Sequence, residues 1–458
     1  MYVPRSRSRM SLAAPIALAA SLAIGACSKG DQSGAASHAN DSTRASANTA
    51  AKCPGDNAGL TLPDGFCATI FADSIGEARD VVVADNGDVY TTIQESPPPQ
   101  PGDTAKPPAK ASFVALRDST ADGKADVITR VGTAGNTGIT LHNGYLYVDE
   151  GKQIVRYKRD GNELVPSGKR EVIVSGLPLQ PGHRARNFAI GSDNALYVNV
   201  GSATNSCQKK DRANEAPGVD PCVELKTRAG TWKFDANKSG QVFTPGARWA
   251  TGIRNGMGLT IGPDGLVWQT QHGRDQLHDN WPTFDTKYQA ENPAEELMQV
   301  NQGDDFGWPY CYYSVAEKKL VDAPEYGGDR KKTARCDRKK EPVAAFPGHW
   351  APMSVLFYTG SQFPAKYKNG AFIAFHGSWN RAPEPQAGYR VVFQPLSGGK
   401  SSGDFETFAN GFAGVPDNEL QPGTAKHRPV GLAMGPDGSL YVTDDQGGRI
   451  YRITYGPK

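Results

Sequence analysis

No Cys-x-x-Cys pair occurs in the 458 residues. That excludes the common zinc-ribbon and thioredoxin motifs, and the absence of Cys-x-x-Cys-His excludes c-type haem attachment. The Asp/Glu-rich loop of an EF-hand is missing as well. After residue 30 there is no long apolar run at helical spacing, so a helix bundle is not indicated. The formal net charge is only +2 and the signs are interspersed; no basic face marks a nucleic-acid partner. What the chain does have is turn chemistry. Its 52 Gly and 33 Pro amount to about 19 per cent, against roughly 12 per cent in average proteins. This composition points to a turn-rich all-β protein.

The first residues are not part of the fold. Arg5, Arg7 and Arg9 precede the apolar run "LAAPIALAASLAIGA", which is short for a membrane span and has the form of an export signal. It ends in "IGAC", which resembles a bacterial lipobox and implies cleavage before Cys27, lipidation of that residue and a periplasmic, membrane-anchored protein. Residues 1–26 are read as the signal and residues 27–52 as a lipidated tether too polar to build a core. Residues 53–458 remain for a single domain. With Cys27 set aside, six of the seven cysteines are left, an even number that suits an oxidising compartment. Six cysteines allow 15 pairings. Closeness along the chain favours Cys53 with Cys67, Cys207 with Cys222 and Cys311 with Cys336, each worth roughly 3 kcal/mol in the chain-entropy model.

One pattern recurs: apolar alternation, a turn rich in Asp, Asn and Gly, then a strand such as Leu-Tyr-Val. It stands at 80–92, 140–150, 188–202, 259–273, 367–378 and 432–445. Each copy reads as two period-2 strands joined by a tight turn. Six copies predict a six-bladed β-propeller. "GFCATIFA" (65–72) and "GRIYRITY" (448–455) are strand-like and placed to complete one blade together. A propeller brings the residues after each second strand to one face. Gly201 and Ser202, residues 271–274, residues 376–381, Asp444 and Asp445 therefore become candidates for a shared site.

The stretches "HRARNFAIGSDNALYVNVGS", "WATGIRNGMGLTIGPDGLVW", "GDDFGWPYCYY", "FHGSWNR" and "RPVGLAMGPDGSLYVTDD" together resemble the glucose/sorbosone dehydrogenase family, in order, over about residues 58–457. The resemblance implies a six-bladed propeller holding pyrroloquinoline quinone (PQQ) and Ca2+. It further implies oxidation of an aldose or sorbosone-type sugar, with hydride passing to the quinone. Electrons then leave to a separate carrier or a membrane quinone.

By that resemblance His183 is the general base, a role an imidazole performs near neutral pH. Arg254 and Asn255 in "GIRNGMG" fall at the quinone, Arg254 also stabilising its reduced form. Arg381, Lys426 and Arg428 are the cations expected to hold the PQQ carboxylates. The backbone carbonyls of Gly273 and Arg274 are the expected calcium ligands, with Asp275 neutralising the ion or bracing Arg274. Met257 stands where relatives often carry glutamine. Arg186 either narrows the sugar site or pairs with an acid. Trp379 is read as stacking on the quinone or packing between blades, Trp308 as a loop-packing residue, and His349 as a candidate wall of the sugar site.

Two other functions suit the same scaffold. A calcium-dependent lactonase would assemble axial side-chain ligands such as Asn187, Asn255 and Asp444. A non-catalytic lipoprotein propeller would bind glycan or a partner protein.

Overall fold

The computed structural model describes Cys53 and residues 55–94, 110–179 and 181–456. Cys27, the tether and most of the proline-rich segment 95–111 lie outside the described residues. Within them the chain forms a six-bladed β-propeller, each blade built on an antiparallel meander of four strands, with Gln241–Val242 added in parallel to blade 2 and Lys400–Ser401 added to blade 5. Blade 1 comprises Ala78–Val83, Val89–Ile93, Phe113–Arg117 and Val127–Val131, and blade 2 Ile139–His142, Tyr145–Asp149, Ile154–Lys158 and Glu171–Ser175. Blade 3 comprises Phe188–Ile190, Ala195–Val200, Gly230–Asp235 and Arg248–Thr251, and blade 4 Asn255–Ile261, Val267–His272, Glu295–Val300 and Ala344–Phe346. Blade 5 comprises Pro352–Phe357, Gly370–Phe375, Arg390–Ser397 and Glu406–Ala409. Blade 6 takes Pro429–Met434, Leu440–Asp444 and Ile450–Tyr455 from late in the chain, and Phe66–Ala72 from its start. Phe66 pairs with Tyr455 and Ala68 with Ile453, so the ring closes between early and late strands as expected.

The recurring turn has a physical basis. In four blades the inner hairpin closes with the same backbone bonds, for example Gly191 N to Ala195 O at 2.9 Å and Gly435 N to Ser439 O at 2.8 Å. The last turn residue is left-handed: Gly87 (φ 87°), Asn194 (64°), Gly265 (76°) and Gly438 (83°). Only Gly, or Asn at modest cost, occupies that region readily. Blade 2 uses the two-residue turn Asn143-Gly144, with φ of 46° and 77°. Blade 5 departs from the expected pattern. Its Asn369-Gly370 is not the tip of a hairpin; it follows the short helical turn Ala365–Lys368 and opens the second strand. The first strand lies further back, and the long connection contributes Tyr358, Phe363 and Tyr367 to an aromatic core shared by blades 5 and 6.

The six inner strands line an axial cavity of about 350 Å3. Above it Met257, Met353 and Val430 are buried together, with Ala185 packed against them. Met257 thus floors the site with apolar surface. Two insertions rise beside the mouth, carrying the disulfides Cys207–Cys222 and Cys311–Cys336. They meet through Gly218 N to Glu325 O at 3.0 Å, Tyr326 OH to Val219 O at 3.3 Å and an Arg335–Asp220 ion pair. The third disulfide, Cys53–Cys67, ties the residues before blade 6's outer strand to that strand.

Candidate active site

In this meander every inner strand begins, and every second strand ends, on one face of the ring. The residues just before blades 3, 4 and 6 meet there the residues just after the second strands of blades 3 to 6.

His183 leads into blade 3. Its Nδ1 lies 2.9 Å from Ser202 Oγ and 3.2 Å from Ser202 O. The Ser202 hydroxyl spends its own proton on Thr204 O at 2.6 Å. Both Ser202 oxygens are therefore acceptors toward the ring, so Nδ1 carries the hydrogen and Nε2 keeps its lone pair. Burial, then the Arg254 charge, holds the imidazole well below its ordinary pKa. Gly201 allows this approach, since a Cβ there would stand 2.6 Å from His183 Cβ.

Arg254 joins the same face, its carbonyl accepting from Ser202 N at 2.7 Å. Its side chain corrects the sequence reading. It is only 2% exposed and points into the protein, donating to Asn205 O (3.0 Å), Asn205 Oδ1 (2.9 Å), Gly273 O (2.6 Å) and Asp275 Oδ2 (2.8 Å). With a longer contact to His272 O its N–H groups are spent. It fixes the frame of the site and has none left for a ligand carboxylate. Asp275 likewise braces Arg254 and Arg212, while Arg274 turns away to Glu325 at 2.6 Å. Burial pushes the Asp275 carboxyl up, but Arg254 and Arg212 outweigh it and keep it well below the usual range. Arg381 is also withdrawn. It holds Pro385 O at 2.8 Å and Gly348 O at 3.0 Å, with Ala290 O and Glu291 as further partners. Its expected place against a cofactor carboxylate is taken by these backbone and carboxylate oxygens.

Other groups on this face keep capacity for a ligand. Asn255 Nδ2 donates to His272 Nδ1 at 3.2 Å, while its Oδ1 is buried with no partner. His272 donates from Nε2 to Pro352 O at 3.2 Å, and burial with Arg254 pushes its pKa down to about 3. Arg428 is half-buried; its Nε and Nη2 hold the carbonyls of His376 and Gly377, leaving Nη1 uncommitted. Lys426 is exposed and forms no ion pair among the described residues. These cations and the orphaned amide oxygen fit an anionic, planar ligand. The calcium set fits less well. Gly273 O already accepts the Arg254 guanidinium, which leaves Arg274 O as the open carbonyl of the pair.

Arg186 is 1% exposed, donates to Gly151 O at 3.0 Å and lies 3.9 Å from Asp149. It joins blades 2 and 3 and leaves the sugar site unnarrowed. His349 is buried on Gln289 O at 2.9 Å, and Trp308 packs with its Nε1 on Asn205 O at 3.0 Å. Trp379 is 54% exposed, so it is not packed between blades. The sequence reading passed over Asn205 and Arg79. Asn205 lies in the first insertion, outside the repeat, and no local pattern singles it out.

A blade ring whose mouth combines a tautomer-locked histidine with spare cationic and amide groups defines the class: propeller proteins with a polar site for an anionic ligand at one end of the axis. The particular family is TrAA12-like, whose model matches residues 60–456, and the chain belongs to it. An uncharacterized protein of Borreliella burgdorferi is 32% identical over 339 residues, 69% of this chain and 75% of that one. The pyrroloquinoline quinone-dependent pyranose dehydrogenase of Coprinopsis cinerea is 28% identical over 231 residues, covering 44% of this chain and 30% of that one. The calcium structure of Trichoderma reesei carbohydrate-active enzymes family AA12 matches with TM-score 0.68 at 18% identity, over 87% of this chain and 97% of that one. The chain is therefore related to PQQ-dependent sugar dehydrogenases.

Proposed function

We propose that the protein oxidises an aldose or sorbosone-type sugar with PQQ, His183 Nε2 taking the hydroxyl proton. The carrying observation is the Ser202 arrangement, which leaves a neutral imidazole with its basic nitrogen uncommitted. Arg428 Nη1 and Lys426 would hold the cofactor carboxylates, and Asn255 Oδ1 would accept one hydrogen bond from cofactor or substrate. When bound, the quinone supplies the two-electron acceptor for the hydride. Arg254 and Asp275 keep the surrounding backbone rigid, and the Met257 floor excludes water from below. No step is assigned to calcium. Reducing equivalents would leave to a separate carrier, and the Cys27 lipid would hold the enzyme on the periplasmic side of a bacterial membrane.

The lactonase reading is disfavoured by what its ligands already do. Its one carboxylate is already spent, since Asp444 accepts from His427 and several backbone amides, and the two amide oxygens left, on Asn187 and Asn255, make a weak set for a calcium ion.

The test is a PQQ titration with and without calcium, read by quinone absorbance, followed by dye reduction across a sugar panel. Wild type should bind PQQ and reduce dye. His183→Asn should bind PQQ equally and lose about 10^2- to 10^4-fold in turnover, the range for a general base. Dye reduction undiminished in that variant refutes the base. Absence of PQQ binding refutes the function.

A further inference from the structure

A second histidine on this face has what His183 lacks, a carboxylate behind it. His376 follows the second strand of blade 5, and its Nε2 lies 2.8 Å from Oδ1 of Asp445, which follows the second strand of blade 6. The other Asp445 oxygen is pinned by Arg79 of blade 1. Burial pushes the Asp445 carboxyl up, but His376, Arg79 and Arg428 more than reverse this and keep it ionised. An ionised partner requires the His376 hydrogen on Nε2, so the lone pair sits on Nδ1. Nδ1 has no partner among the described residues, and the side chain is 14% exposed, within reach of solvent. The charged and titratable groups around His376 are Asp445, Arg428, Arg79 and His272; Glu77 in turn faces Asp445.

The proposed reaction needs a second proton acceptor. Turning a carbon that bears a hydroxyl into a carbonyl removes two electrons and two protons. The hydroxyl proton goes to His183, and the carbon's hydrogen leaves with both electrons. When those electrons pass singly to two equivalents of an external one-electron oxidant, that hydrogen remains as a proton. We propose that His376 Nδ1 accepts this second proton and that Asp445 stabilises the resulting imidazolium until water removes it. Arg79 acts as a positioning residue for Asp445. The assignment rests on the proposed function.

The experiment uses the full chain loaded with PQQ and separates the half-reactions by stopped flow: sugar mixed with oxidised enzyme, then ferricyanide with reduced enzyme. His376→Asn should leave the sugar half within about twofold and slow the ferricyanide half at least tenfold, with partial rescue by added imidazole. Without PQQ, NMR should show the His376 titration midpoint falling by at least one pH unit in Asp445→Asn, the direction expected on losing the carboxylate. Equal slowing of both halves, slowing of the sugar half alone, or an unmoved midpoint overturns the assignment. If wild type accepts electrons from no sugar, the proposed function falls and takes this assignment with it. If wild type is active and only the split is absent, this assignment alone falls.

Discussion

Ser202 decides which nitrogen of His183 is basic, and it does so by giving its own proton to Thr204. Ser202→Ala keeps the backbone carbonyl as an acceptor but loses the stronger contact. Turnover should fall roughly fivefold with little change in KM, in line with one lost hydrogen bond of about 1 kcal/mol; steady-state kinetics on the PQQ-loaded enzyme check this. His272 shows how the same burial governs stability. Its pKa is about 3 in the folded protein, against about 6.5 unfolded. The unfolded chain therefore binds this proton first. The contribution is complete above about pH 6.5 and is lost as pH falls toward 3. Denaturant midpoints should drop between pH 6.5 and 4.5, and NMR should find His272 not titrating in that interval.

At the scale of the element, two glycines make separable demands. Gly265 turns the inner hairpin of blade 4 at φ 76°, and a methyl group added there would meet nothing within 4 Å. Gly265→Ala should cost about 1–2 kcal/mol for the left-handed backbone, lower the melting point and leave turnover intact. Gly201 is crowded instead, its added Cβ falling 2.6 Å from His183. Gly201→Ala should retain the fold yet lose at least about tenfold in turnover, because small misplacements of a catalytic group are costly. Melting curves and turnover measured on both variants separate backbone strain from site displacement.

At the scale of the whole molecule, an insertion stabilises the site frame. Cys207–Cys222 closes a loop that begins two residues after Asn205, the Arg254 partner. Replacing both cysteines by serine should cost about 3 kcal/mol, seen in calorimetry. It should also weaken PQQ binding in the same titration, because Arg254 loses a fixed acceptor. The ring itself depends on Phe66–Ala72 completing blade 6, so this strand joins the ends of the fold into one cooperative unit.

Much of this was legible in the chain. Alternation with recurring Asp/Asn-Gly turns determined the hairpins, their number and the closing strands, because period-2 patterning and left-handed turn residues act over a few positions. Blade 5 was legible only in part, because an Asn-Gly pair also suits the end of a helical turn. Cysteines close in sequence found one another for the same local reason. What only the tertiary structure decided was the direction of the long side chains. Arg254 and Arg381 are motif residues by sequence, yet they turn inward because their oxygen acceptors come from segments up to 91 residues away. Arg428 keeps a free nitrogen, and His376 acquires a carboxylate from the next blade. Such partners are chosen by the meeting of blades around an axis, and a buried charge takes whatever compensation that meeting supplies.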